Sequence, residues 1–281
     1  MKMKKIYLLP NIVTAFGLCC GLFVIFKMTM TGIGEVNREL LILTTSLLLL
    51  AAFADLLDGA LARVMKVESE FGGLFDSLAD AINFGVAPSI IVLKSMSLPN
   101  GSEMAYLLTM AAMVYSLCGV LRLVRFNVAR HQAAEDQQLM DAHNKNFTGL
   151  PIPAAAAAIV SGNLFLFSNE FKSLMSISTQ THAWILFAQL IVLGYFMISR
   201  WKFPSLKALH IRITSFQQVF FIVIFTVFVI FYGVMQHFSV VFFLLSWGYV
   251  LAAWILSIIR VISGRKAKAL EDFEPETDDL E

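Results

Sequence analysis

The chain has 281 residues, 58% of them hydrophobic and 15% charged, with a formal net charge of +1. That balance is too apolar for a water-soluble globule of this length. Several apolar stretches reach the roughly 20 residues that cross a bilayer, so the expected fold class is all-α, a polytopic membrane helical bundle of about eight transmembrane helices.

The expected spans, in chain order, are roughly 9–31, 38–63, 73–95, 103–128, 150–168, 182–199, 217–235 and 239–262. The first follows a basic lead, Lys2, Lys4 and Lys5, like that of a signal peptide. Its apolar run is too long for one and no small-x-small cleavage site follows, so it is kept as a membrane helix. At its start, Leu9-Pro10-Asn11-Ile12-Val13-Thr14 places a proline early in the first turn beside open backbone donors. Such a helix start suits an anion or a nucleotide, which makes Pro10, Asn11, Ile12 and Thr14 candidate ligand contacts.

The second and third spans carry the chemistry. The string is Asp55-x-x-Asp58-Gly59-x-x-Ala62-Arg63, then eight residues, then Gly72-x-x-x-Asp76-x-x-x-Asp80. Eight fixed identities give on the order of one chance match in 10^9 per start position. An Asp at a membrane helix centre costs about 2.5–3.5 kcal/mol on insertion scales, so four of them need a compensating charge. Helical spacing puts Asp55, Asp58, Gly59 and Ala62 on one side of helix 2, and Asp76 and Asp80 on one side of helix 3. Two antiparallel helices joined by the short loop 64–72 would bring both sets together. Asp oxygens suit Mg2+ or Mn2+, and two such ions about 3.5–4 Å apart would clamp an in-line phosphoryl-type displacement. Gly59 and Ala62 leave room for a ligand at the backbone, Arg63 suits phosphate oxygens, and Gly72 with Gly73 frees the turn into helix 3.

This string resembles the signature of the CDP-alcohol phosphatidyltransferases at every fixed position. The resemblance implies transfer of a phosphatidyl group from CDP-diacylglycerol to an alcohol with release of CMP. It also implies that Asp55, Asp58 and Asp76 hold the metals, and that Asp80 both contacts metal and serves as the base. Gly59, Arg63 and Ser69 would touch the CDP-lipid, and the Leu9–Thr14 stretch is a second family region. A homodimer is implied by the family alone.

Three further stretches address the acceptor. Asp76-Ser77-Leu78-Ala79-Asp80-Ala81-Ile82-Asn83-Phe84-Gly85-Val86-Ala87-Pro88, Arg122-Leu123-Val124-Arg125-Phe126-Asn127 and Phe147-Thr148-Gly149-Leu150-Pro151-Ile152-Pro153 resemble motifs of one branch, the integral-membrane phosphatidylserine synthases of bacteria and archaea. Asn83 departs from the usual Ser of that branch but stays polar. Arg122 and Arg125 share a face, and guanidinium forks pair with carboxylates, so L-serine is the expected acceptor, with Arg122, Arg125 and Asn83 as its candidate contacts. A glycerol 3-phosphate or inositol phosphate acceptor would want more cationic groups and stands second. A cation-coupled transporter is the alternative from another class, but such proteins place carboxylates near the midplane within two related halves.

An inside N-terminus puts every Lys and Arg except Lys27, Arg38, Lys94 and Lys172 on the cytoplasmic side. The positive-inside rule then places both termini and the aspartates at the cytoplasmic face, expected to be the inner membrane of a prokaryote. Cys19, Cys20 and Cys118 all fall in spans, so neither a disulfide framework nor a zinc site is indicated. Residues 1–264 are expected to form one catalytic domain and 265–281 a disordered acidic tail. Membrane lipids are expected partners; nucleic acid is not.

Overall fold

A computed structural model describes residues 8–32, 34–65, 69–96, 98–99, 101–133, 146–175, 177–199, 202–204 and 236–258. The helices are α1 (Leu8–Met30), α2 (Arg38–Met65), α3 (Glu70–Asp80), α4 (Ala87–Ser95), α5 (Glu103–Ala133), α6 (Ile152–Leu166), α7 (Asn169–Leu174), α8 (Thr179–Ile198) and α9 (Gln236–Ile258). The α3 and α4 helices form one continuous rod, joined by a π-helical turn over Ala81–Val86. Two three-residue strands, β1 (Asn146–Thr148) and β2 (Lys202–Pro204), pair antiparallel with Phe147 opposite Phe203.

Starts are set by short polar side chains that accept from otherwise orphaned amides. Asn37 Oδ1 accepts from Leu40 N at 2.8 Å before α2, and Ser69 Oγ from Gly72 N at 3.0 Å before α3. Ser102, Ser168 and Ser178 do the same before α5, α7 and α8.

Six of the eight expected spans are helices long and apolar enough to cross a membrane, the third of them being the α3–π–α4 rod. The stretch at 150–168 forms α6, a helix of 15 residues. At 1.5 Å per residue it is about 22 Å long, short of a hydrocarbon core of about 30 Å. Among the described helices it is the most enclosed: Ala155, Ala158, Ile159 and Asn163 are wholly buried, and its alanines let neighbours close around it. The expected span at 217–235 and the tail at 265–281 lie outside the described residues.

The core joins Val24 and Met28 of α1, Leu41 and Leu48 of α2, Phe84, Ile91, Tyr115 of α5, Ile152 of α6, and Leu186 and Leu190 of α8. Outward faces are just as apolar, with Phe16, Phe23, Phe53, Met110, Met113 and Leu117 more than half exposed. A surface of this kind is at home in lipid rather than water. At the end of the bundle away from the aspartates, Lys94 Nζ donates to the carbonyls of Thr29 and Thr31 at 3.3 and 3.2 Å, capping α1. At that end too, Glu170 Oε1 meets His237 Nδ1 at 3.1 Å. The Glu170 carboxyl is held below its ordinary range by its own backbone N–H and by His237. All three cysteines are free.

Candidate active site

The signature aspartates converge where α2 runs out and α3 begins. One carboxylate oxygen from each of Asp55, Asp76 and Asp80 lies within 4.8 Å of the others, and all three side chains are half-buried. Asp58, one turn along α2, is buried and stands outside this triad. Its Oδ2 accepts a hydrogen bond of 2.5 Å from Thr14 Oγ1 of α1, a hydroxyl that also lies 3.1 Å from the Pro10 carbonyl. The charge of Asp58 nevertheless bears on both Asp55 and Asp80.

Ionised carboxylates about 5 Å apart repel by roughly 3 kcal/mol per pair at an effective dielectric near 20. Among the described side chains, Arg122 of α5 is the cation whose charge acts on Asp80. One guanidinium does not balance four carboxylates. An oxygen-only set of this size and charge fits hard divalent cations such as Mg2+ or Mn2+.

Around the triad the sequence-derived candidates fall into two groups. Toward α1, the side chain of Asn11 and the cap hydroxyl of Ser69 close on Gly72: a Cβ there would lie 3.2 Å from Asn11 Oδ1 and 3.0 Å from Ser69 Oγ. Both Gly72 and Gly73 are helical, inside the first turn of α3, so Gly72 serves close approach rather than an open turn. Pro10 is buried and Ile12 is exposed. Gly59 faces open space, since a Cβ there would meet nothing within 4 Å. Ala62 is half-buried nearby on α2; Arg63 stands in the last turn of that helix, its side chain outside the described part.

Toward α5, Arg122 is buried, its Nε has no hydrogen-bond partner among the described residues, and the charges of Asp80 and Tyr249 of α9 act on it. Arg125 Nη1 donates to the carbonyl of Ile198 at 2.9 Å, closing the end of α8. The same guanidinium borders Gly149, whose φ of +81° and whose contact with the Met197 carbonyl leave no place for a side chain. Leu150 N donates to Phe196 O at 2.9 Å. The Arg122–Asn127 and Phe147–Pro153 stretches therefore meet at the C-terminal end of α8. Asn127 Nδ2 donates to Ser77 Oγ at 2.9 Å, tying α5 to α3 between the two triad members of that helix. Asn83 is buried against Gly21 of α1, and its Oδ1 has no hydrogen-bond partner among the described residues.

Two partnerships and one backbone feature escape the sequence. Thr14 is a candidate ligand contact there, but its bond to Asp58 joins residues 44 apart, which no local pattern signals. Tyr249 sits in a span with no motif. The π turn after Asp80 had one signal, Pro88 inside an apolar run.

The family model for CDP-alcohol phosphatidyltransferase matches residues 7–196, about two thirds of the chain. The CDP-diacylglycerol–serine O-phosphatidyltransferase of Helicobacter pylori is 26% identical over 269 residues, 96% of this chain and 100% of that protein. The enzyme of the same name from Methanocaldococcus jannaschii is 29% identical over 202 residues, 72% of this chain and 76% of that one. The archaetidylserine synthase of Methanothermobacter thermautotrophicus is 39% identical over 129 residues, 45% and 48% of the two chains. The chain belongs to the CDP-alcohol phosphatidyltransferase family, as an integral membrane enzyme with that family's phosphotransfer activity.

Proposed function

We propose that this member of the family moves the phosphatidyl group of CDP-diacylglycerol onto the hydroxyl of L-serine, releasing CMP, and that it needs divalent cations to do so. The observation that carries the reading is the convergence of Asp55, Asp76 and Asp80 with the buried Arg122 guanidinium acting on Asp80. The names of the relatives in Helicobacter pylori and Methanocaldococcus jannaschii support serine.

Mg2+ or Mn2+, two ions in this reading, would neutralise the diphosphate and polarise it toward attack. Asp55, Asp58 and Asp76 would hold them, with Asp80 also in contact, and Thr14 fixes the rotamer of Asp58. The diphosphate end of CDP-diacylglycerol enters beside Gly59, where the helix surface is open, and meets Ala62, Arg63, Ser69, Gly72 and the α1 residues Pro10, Asn11, Ile12 and Thr14. L-Serine lies between Arg122 and Asp80, its carboxylate on the guanidinium and its hydroxyl toward the aspartate. Asp80 accepts the hydroxyl proton as that oxygen bonds to the β-phosphorus, and the bond from that phosphorus to the bridging oxygen of CMP breaks. Arg125 and Asn83 are the further candidates on the acceptor side, although Arg125 also closes α8 at Ile198 and the Asn83 amide packs against Gly21 of α1. Phosphorylated acceptors such as glycerol 3-phosphate are less well served, because Arg125 already spends one N–H on Ile198.

The charge distribution supports an orientation with both termini and the site at the cytoplasmic face of an inner membrane. Family resemblance supports a homodimer, with residues 1–264 as one catalytic domain. Release of CMP by purified protein given CDP-diacylglycerol, L-serine and Mg2+ or Mn2+ tests the whole reading.

A further inference from the structure

The rod that carries Asp76 and Asp80 is not a regular helix. Directly after Asp80 the backbone widens into the π turn Ala81–Val86, where Ala87 N donates to Ile82 O, five residues back. The cause is legible in the chain. In an α-helix the Phe84 carbonyl would accept from the amide of residue 88, but that residue is Pro88, which has none and whose ring crowds that carbonyl.

The displaced carbonyls are not left unpaired. Tyr115, wholly buried on α5, donates its hydroxyl to Phe84 O at 3.1 Å. Next to it, Gly85 O lies 2.9 Å from Ser116 Oγ and 3.2 Å from Ser89 Oγ, and those two hydroxyls are 2.9 Å apart. Tyr115 thus stands in at Phe84 O for the amide that Pro88 lacks, and the two serine hydroxyls, which also lie 3.0 Å (Ser116) and 3.2 Å (Ser89) from the Ala112 carbonyl, tie Gly85 of the turn to α5. One inserted residue turns everything upstream by about 100° relative to an unbroken α-helix. What lies upstream is Asp80, then Asp76.

We infer that Tyr115, Ser116 and Ser89 are positioning residues: they hold the π turn open, and the turn sets the direction in which Asp76 and Asp80 leave the helix toward Asp55. None of the three touches the reacting groups. The inference rests on the carboxylate triad as the reacting site and is independent of which alcohol is the acceptor.

The test compares wild type, Tyr115→Phe, Ser116→Ala and Ser95→Ala in detergent. Ser95 is a buried hydroxyl on the same rod that bonds Asn163 Oδ1 at 3.0 Å, away from the turn, and serves as the control. Loosening the turn misplaces carboxylates by a fraction of an ångström to an ångström, which lowers kcat between about 10- and 100-fold. Tyr115→Phe and Ser116→Ala should show that loss with substrate KM values changed less than twofold, while Ser95→Ala keeps wild-type kcat. The Mn2+ concentration giving half of the thermal stabilisation should rise severalfold in the first two variants only. Wild-type kcat in both Tyr115→Phe and Ser116→Ala overturns the inference. So does a loss of kcat that Ser95→Ala shares, since that marks a general packing effect. Should one variant fail to fold, the other decides. A wild-type protein that releases no CMP from any acceptor would instead overturn the functional reading, and the Mn2+ titration would still judge the turn.

Discussion

Thr14 Oγ1 donates to Asp58 Oδ2, so the start of α1 and the signature helix α2 are pinned together at the one signature aspartate outside the carboxylate triad. The bond explains how Asp58 can stay buried, and it makes α1 part of the site rather than an anchor.

Thr14→Val keeps the shape and removes the donor. Hydrogen bonds to charged groups contribute about 1.5–3 kcal/mol, so kcat/KM should fall roughly 10- to 100-fold. Thr14→Ser should restore most of it. CMP release assays on the two variants check this, and wild-type kcat/KM in Thr14→Val would detach Asp58 from the site.

Removing one member of the triad leaves the others without a shared cation. Asp55→Ala and Asp76→Ala should each abolish turnover, as should Asp58→Ala, and excess chelator should silence the wild type until Mg2+ or Mn2+ is restored. Asp80→Asn should bind CDP-diacylglycerol yet turn over at least 100-fold more slowly, because the proton acceptor is gone. Equilibrium binding beside single-turnover rates separates the two.

Two glycines should respond in opposite ways. At Gly21 a methyl group would run into the Asn83 amide, so Gly21→Ala should lower stability by about 1–3 kcal/mol, read as a lower Tm. At Gly59 there is open space, so Gly59→Ala should keep or slightly raise Tm, an alanine favouring a helix by about 1 kcal/mol. If the CDP-lipid passes there, the same change should raise its KM at least tenfold.

The arginines should also divide. Arg122→Gln should raise the serine KM at least tenfold while the CDP-diacylglycerol KM moves less than threefold, because the acceptor carboxylate loses its partner. Arg125→Gln should lower Tm as well, since it gives up the bond that closes α8 at Ile198. Equal rises in both KM values for Arg122→Gln would remove it from the acceptor side.

What the chain made legible follows its periodicities. Spacings of three and four placed Asp55 near Asp58 and Asp76 near Asp80, and the triad forms from those faces. Apolar runs of span length gave six helices of matching length, whereas the alanine-rich run at 150–168 starts its helix only after the Pro151 cap and stops before the Ser168 cap of α7, leaving a short enclosed helix. Long-range pairs were not legible, because nothing near Thr14 points to Asp58 and nothing near Arg122 points to Tyr249. Asn83 shows the same limit. Its place in the motif suggested the acceptor, yet whether its amide turns to α1 depends on the absence of a side chain at Gly21, 62 positions away.

The most direct measurement is CMP release by the purified protein in mixed micelles with CDP-diacylglycerol, Mn2+ and one acceptor at a time. L-Serine should give stoichiometric CMP and phosphatidylserine, abolished by chelator and by Asp76→Ala. Turnover with glycerol 3-phosphate or inositol phosphate while serine is ignored, or full activity in excess chelator, would contradict it.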